Sequence, residues 1–160
     1  MGRIRTVVAD DDDEMRSAII DVLESTGDFD VVSAVPSGTG LADLVRETGA
    51  DLVVLDVRMT DGGAEAARRL RALAVPPVVV AVSAQVDTAT VSELLHAGAS
   101  AYLAKGDLSE HFVDDLIRCV RGHVVVAVPH ALEALRHTLQ APQEHQAELT
   151  HQPTVESPAP

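Results

Sequence analysis

Three residue types are nearly missing from this chain, and each absence narrows what it can be. There is no tryptophan, one tyrosine and two phenylalanines, so a core has to be assembled from Val, Leu, Ile and Ala. The single cysteine, Cys119, excludes an intramolecular disulfide, and without a CxxC pair there is no zinc knuckle. Lys105 is the only lysine, and arginine supplies the other basic residues. With 12 basic against 25 acidic side chains and a formal charge of −13, the surface is unsuited to nucleic acid, which selects clustered Lys and Arg. No apolar run approaches the roughly 20 residues needed to span a bilayer. The start, "MGRIRTVVADD", lacks the apolar stretch of a secretory leader. The expectation is a soluble cytoplasmic protein with no membrane partner and no direct contact with nucleic acid.

What is present is an alternation of two hydrophobic patterns. Short apolar runs stand at 5–9 ("RTVVA"), 30–35, 51–56 ("DLVVLD"), 78–83 ("VVVAVS") and 101–105 ("AYLAK"). Between them lie segments with helical spacing. In "DEMRSAIIDVLEST" (13–26), Met15, Ala18, Ile19, Val22 and Leu23 share one face. Helices are likewise expected at 37–49, 64–73, 88–98 and 109–122, the last with Phe112, Val113, Leu116, Ile117 and Val120 on one stripe. The strands are continuously apolar rather than alternating, the mark of a parallel sheet covered on both faces. The fold class is α/β, a doubly wound five-stranded sheet. At 160 residues there is room for one such domain.

In open parallel sheets ligands bind at the carboxyl ends of the strands. This sequence places Asp10 and Asp11 at the end of the first strand, Asp56 at the third, Ser83 at the fourth and Lys105 at the fifth. The second strand ends near Pro36 with nothing reactive. Convergent carboxylates repel unless a cation neutralises them. An all-oxygen site with no His or Cys suits Mg²⁺ rather than zinc. An ammonium and a hydroxyl beside one carboxylate add the groups that stabilise phosphoryl transfer onto it. In the run Asp10–Asp13 the first pair is therefore assigned to the metal. Asp13 is expected to cap the first helix, with Asp12 as an acidic first-turn neighbour.

The stretches "VVADDDDEMRSAI", "DLVVLDVRM", "VVVAVSA" and "LLHAGASAYLAKGDLSEHFVDDLIRCVRG" resemble the receiver domain of two-component response regulators, closest to the NarL/FixJ (LuxR) type. The resemblance covers about residues 4–122 and implies the flavodoxin-like strand order 2-1-3-4-5. It implies Asp56 as phosphoacceptor, and Mg²⁺ held by Asp10, Asp11, Asp56 and the backbone carbonyl of Arg58. It implies phosphoryl contacts from Ser83 and Lys105, a switch pair of Ser83 and Tyr102, and tuning positions at Arg58, Ala84 and Gln85. The implied partners are a sensor histidine kinase and a second copy, bound through the face of the fourth helix, fifth strand and fifth helix. Such a domain acts on itself, by Mg²⁺-dependent self-phosphorylation and autodephosphorylation, and is not an enzyme for an outside substrate. The chain departs from the family pattern in "RMTDGGAEA" (58–66), where Thr60 replaces the usual proline and the loop is one residue short. Gly106 in place of proline after Lys105 makes a cis peptide there unexpected.

Other readings are weaker. A receiver-like interaction module with weak or no phosphorylation would fit the altered loop. "PSGTG" (36–40) has the glycines of a phosphate loop but no following Lys-Ser/Thr. Residues 1–122 are assigned to the receiver, 123–140 to an extension with a short helix at 129–140, and 141–160 to a disordered tail or linker. "HVVVAVP" (123–129) fits either a sixth strand or a segment packed on the domain. The tail has neither the length nor the basic charge of a helix-turn-helix, so transcription regulation would need an output domain in a longer chain.

Overall fold

The structure, a computed structural model, describes residues 2–127 apart from 86, 107 and 109. The helix expected at 129–140 and the tail at 141–160 lie outside the described residues. In chain order the elements are β1 (Ile4–Ala9), α1 (Asp13–Thr26), β2 (Phe29–Val35), α2 (Leu41–Thr48), β3 (Leu52–Asp56), α3 (Gly63–Arg71), β4 (Val78–Ser83), α4 (Thr88–Ala97), β5 (Ala101–Ala104), α5 (Glu110–Val120) and β6 (Val125–Ala127). All strand pairs are parallel, in the order β2-β1-β3-β4-β5-β6.

The period of two along each strand divides the core. From β3, Val53 and Leu55 pack with Leu41 and Val45 of α2, Leu70 of α3 and Leu94 of α4. Leu52 and Val54 point the other way, onto Ile19 and Leu23 of α1 and Phe112, Leu116 and Cys119 of α5. Every residue of β3 is buried, which is why its sequence shows no polar alternation. Cys119, 1% exposed, is a packed core side chain.

The structure extends one expectation and corrects another. To the five expected strands it adds a sixth, the strand reading left open for 123–129. Val125 pairs with Ala101 and Val126 with Tyr102, and the two valines extend the two cores on opposite faces. The outer edge of β5 is thereby taken, and β6 is what this side of the sheet presents. The correction concerns the start of α1. Asp12, not Asp13, is the N-cap: its backbone is extended and its carboxylate accepts the N–H groups of Glu14 and Met15, both at 3.0 Å. Asp13 is the first helical residue and pairs instead with Arg16.

Candidate functional site

The strand order reverses between β1 and β3, and the polar residues that break the apolar pattern gather above that point. Asp10 follows β1, Asp56 ends β3, Ser83 ends β4 and Lys105 follows β5. Asp10 and Asp56 are 0% and 3% exposed, burial that is unusual for carboxylates and requires compensation. Lys105 Nζ lies 2.7 Å from Asp10 Oδ2 and 3.2 Å from Asp56 Oδ2, so one ammonium bridges both. Asp10 Oδ1 accepts the N–H of Asp12 at 3.0 Å, and Asp56 Oδ1 accepts that of Arg58 at 3.2 Å.

Burial, with the charge of Asp10 added, raises the Asp56 pKa above the usual carboxylate value, against the opposing pull of the Arg58 N–H and Lys105. Burial alone would lower the pKa of Lys105. The contact with Asp10 and the charges of Asp56 and Asp10 outweigh it, and the ammonium is held above its ordinary range.

Asp11 is exposed, yet it offers a carboxylate oxygen within 4.8 Å of oxygens from Asp10 and Asp56. Three carboxylates against one ammonium leave the cluster short of two positive charges. Asp10 Oδ2 is also enclosed, with the Lys105 ammonium at 2.7 Å as its neighbour. A buried oxygen with a free lone pair, within reach of two other carboxylates, is the donor set a hard divalent cation takes. The residues present therefore fit such an ion.

Ser83 and Tyr102 meet at a third group. Ser83 Oγ donates to the carbonyl of Gln85 at 2.6 Å and accepts the Gln85 N–H at 3.2 Å. Tyr102, wholly buried, donates its hydroxyl to the same carbonyl at 3.0 Å, and burial raises its pKa. Ala84 and Gln85 are exposed at the rim, as is Arg58. No cis peptide occurs among the described residues, in keeping with Gly106 after Lys105. A cleft of about 650 Å³, lined by Ile4, Val45, Ala50 and Val78, opens at the other end of the sheet and contains none of these groups.

The sequence pattern put residues 37–40 at the start of a helix and gave them no role in the site, whereas α2 begins at Leu41. In the structure Gly38 and Thr39 lie against the loop that follows Asp56, with Thr39 Oγ1 donating to Asp61 Oδ2 at 2.6 Å. The pair of glycines in "PSGTG" was the available signal, since a residue without Cβ marks close backbone approach.

A model of the response regulator receiver domain matches residues 6–117. The chain is 30% identical over 126 residues to a probable transcriptional regulatory protein NarL of Mycobacterium tuberculosis, covering 78% of this chain and 58% of that protein. It is also 30% identical over 143 residues to the response regulator GacA of Pseudomonas aeruginosa, covering 89% of this chain and 66% of GacA. Among solved structures, the signal receiver domain of the putative response regulator NarL from Mycobacterium tuberculosis superposes with a TM-score of 0.73 at 28% identity, over 77% of this chain and all of that one. The chain thus spans less than two thirds of these full-length relatives. Carboxylates and a lone lysine on the rim of a flavodoxin-like sheet, together with these matches, place the chain in the response regulator receiver family, among its NarL/LuxR-type members.

Proposed function

We propose that the chain is a phosphorylation switch in which Asp56 accepts a phosphoryl group from a sensor histidine kinase. The observation that carries this reading is the enclosed cluster of Asp10, Asp56 and Lys105, which Asp11 completes into a set of oxygens suited to a divalent cation. Asp10, Asp11 and Asp56 would hold Mg²⁺, with the Arg58 carbonyl as a backbone ligand. When bound, the ion neutralises charge on the carboxylates and on the phosphoryl oxygens.

A carboxylate oxygen of Asp56 attacks phosphorus, the P–N bond of the kinase phosphohistidine breaks, and the imidazole leaves with its electron pair and takes up a proton. The product is an acyl phosphate on Asp56, which water later hydrolyses. Lys105 pairs with Asp56 in the resting state and turns to a phosphoryl oxygen in the phosphorylated one. Ser83 must release the Gln85 carbonyl to donate to the phosphoryl group. That release leaves Tyr102 as the carbonyl's remaining side-chain donor, which couples phosphorylation to the packing between β4 and β5. Arg58, Ala84 and Gln85 line the approach and set how readily donor and water enter. A second copy, bound through α4, β5 and α5, is the proposed partner that reads the change. Since β6 pairs along β5, that contact includes β6.

The test is incubation with Mg²⁺ and acetyl phosphate, followed by intact mass. Wild type gains one phosphoryl group, and Asp56→Asn gains none. Failure of wild type to gain it, and to bind beryllofluoride with Mg²⁺, would leave an interaction module without phosphorylation.

A further inference from the structure

The loop between β2 and α2 links the two halves of the site. At its start the Val35 carbonyl accepts the backbone N–H of Asp10 at 3.0 Å. Further along, the Gly38 N–H donates to the Thr60 carbonyl at 2.8 Å, and Thr39 Oγ1 donates to Asp61 Oδ2 at 2.6 Å. Thr60 and Asp61 belong to the loop that leaves Asp56 for α3, just past Arg58. One short segment thus holds the backbone of a metal-site carboxylate at one end and the loop of the phosphoacceptor at the other.

That second loop needs holding. Its residues 57–62 contain no proline to fix φ. Asp61 has φ of +54°, a left-handed conformation that a non-glycine residue adopts only at a cost, and Gly63 follows with φ of +61°. The contact is also close. A Cβ on Gly38 would stand 1.9 Å from the Asp61 carbonyl oxygen, and one on Gly62 would stand 2.8 Å from that of Asp56. No other side chain fits at Gly38 without displacing the loop.

We infer that Gly38, Thr39 and Asp61 are positioning residues: a brace that fixes the loop after Asp56 so that the Arg58 carbonyl faces the cation held by the carboxylates. The inference rests on the switch reading above. Asp61 takes its left-handed turn because its side chain is tied to Thr39, and the turn sets the path of residues 57–60. Loss of the tie leaves the carboxylates and Lys105 in place but lets the backbone ligand wander. The consequence is weaker Mg²⁺ binding with little effect on chemistry once the ion is bound.

Thr39→Val removes the hydroxyl and keeps the shape, Thr39→Ser keeps the hydroxyl, and Asp61→Ala removes the acceptor. Thr39 and Asp61 are exposed, so these variants fold. Mg²⁺ affinity of the unphosphorylated protein is measured by titration calorimetry, and phosphorylation by acetyl phosphate is followed across a Mg²⁺ series. Thr39→Val should weaken Mg²⁺ binding about fivefold, the scale of one ordinary hydrogen bond lost at an exposed position. It should shift the Mg²⁺ dependence of phosphorylation equally and leave the rate at saturating Mg²⁺ unchanged. Thr39→Ser should match wild type, and Thr39→Val with Asp61→Ala should be no weaker than either alone.

Thr39→Val within about twofold of wild type, Thr39→Ser as weak as Thr39→Val, or additive losses in the double variant would overturn the brace. So would a loss of melting temperature without Mg²⁺ that is unaccompanied by any change in affinity. These results presuppose a wild type that binds Mg²⁺ and gains the phosphoryl group. A wild type that does neither removes the switch reading and the brace together, whereas a working wild type with unaffected variants removes the brace alone.

Discussion

Leu52 to Leu55 and Asp56 belong to one central strand and are all wholly or nearly enclosed, but burial acts on them with opposite sign. The apolar residues gain roughly 1.5–3 kcal/mol each by leaving water. The carboxylate loses hydration, faces a second buried carboxylate in Asp10, and is only partly repaid by Lys105 and one N–H. Four residues of β3 therefore hold the sheet together, and the fifth is maintained at a cost, as the proposed phosphoacceptor would be. The same division runs through β1, where Val7 to Ala9 pack and Asp10 follows.

The largest effect that would break this comparison is expected at Asp56. Asp56→Asn should abolish phosphorylation by acetyl phosphate and at the same time raise the melting temperature without Mg²⁺. The sign follows from linkage. The folded-state pKa is raised, so the folded chain binds the proton more tightly than the unfolded chain. The fold gains from this fully below the unfolded carboxylate pKa, and the gain is lost as pH rises through the raised value. The difference in stability between Asp56→Asn and wild type should therefore grow with pH across that window. A melting temperature lowered by the substitution would show that the Lys105 contact outweighs desolvation.

At the other end of the strand the pattern should invert. Leu52 is fully buried against the α1 and α5 side of the sheet. Leu52→Ala should cost about 2–5 kcal/mol in denaturant unfolding while the folded fraction still gains a phosphoryl group at the wild-type rate. A loss of phosphorylation out of proportion to the unfolded fraction would mean that the two ends of β3 are not separable.

The parts legible in the sequence were those with a local cause. Continuous apolar runs gave the parallel strands, 3.6-residue spacing gave the helices, and the carboxylates and the lone lysine at strand ends stood out against the apolar runs they follow. Three features were hidden for stated reasons. The strand β6 is three residues long and its valines would suit any apolar contact. Asp12 and Asp13 are chemically identical neighbours, and only the backbone conformation of Asp12 decides which one caps α1. The contact of Thr39 with Asp61 joins residues 22 apart in sequence through two loops, where no periodicity operates.

The charge comparison sharpens with metal. If the cluster lacks a divalent cation, Mg²⁺ should stabilise the fold by RT ln(1 + [Mg²⁺]/Kd), about 1.4 kcal/mol at roughly tenfold excess over Kd. Asp11→Ala should remove most of that increment in a thermal melt, because Asp11 contributes an oxygen to the cluster while being exposed and making little else. Asp13→Ala should retain it, since Asp13 offers no oxygen to the cluster and pairs with Arg16. Equal Mg²⁺ stabilisation in wild type and Asp11→Ala would take Asp11 out of the metal set.

The smallest effect separates the two aspartates that the proposed metal set leaves out. Asp12 accepts two N–H groups that no turn of α1 can satisfy, so Asp12→Ala should cost about 1 kcal/mol of stability, as lost N-caps do. Asp13 is largely exposed, and its pair with Arg16 is screened by solvent, so Asp13→Ala should cost about 0.3 kcal/mol or less. Arg16 meanwhile keeps its bond to the Asp10 carbonyl at 2.7 Å, so neither substitution detaches α1 from the site. Chemical denaturation of both variants without Mg²⁺ measures the difference. The order Asp12 above Asp13 confirms Asp12 as the cap of α1 and Asp13 as a surface pair with Arg16. The reverse order would return the cap to Asp13 and leave Asp12 free to approach the cation beside Asp11.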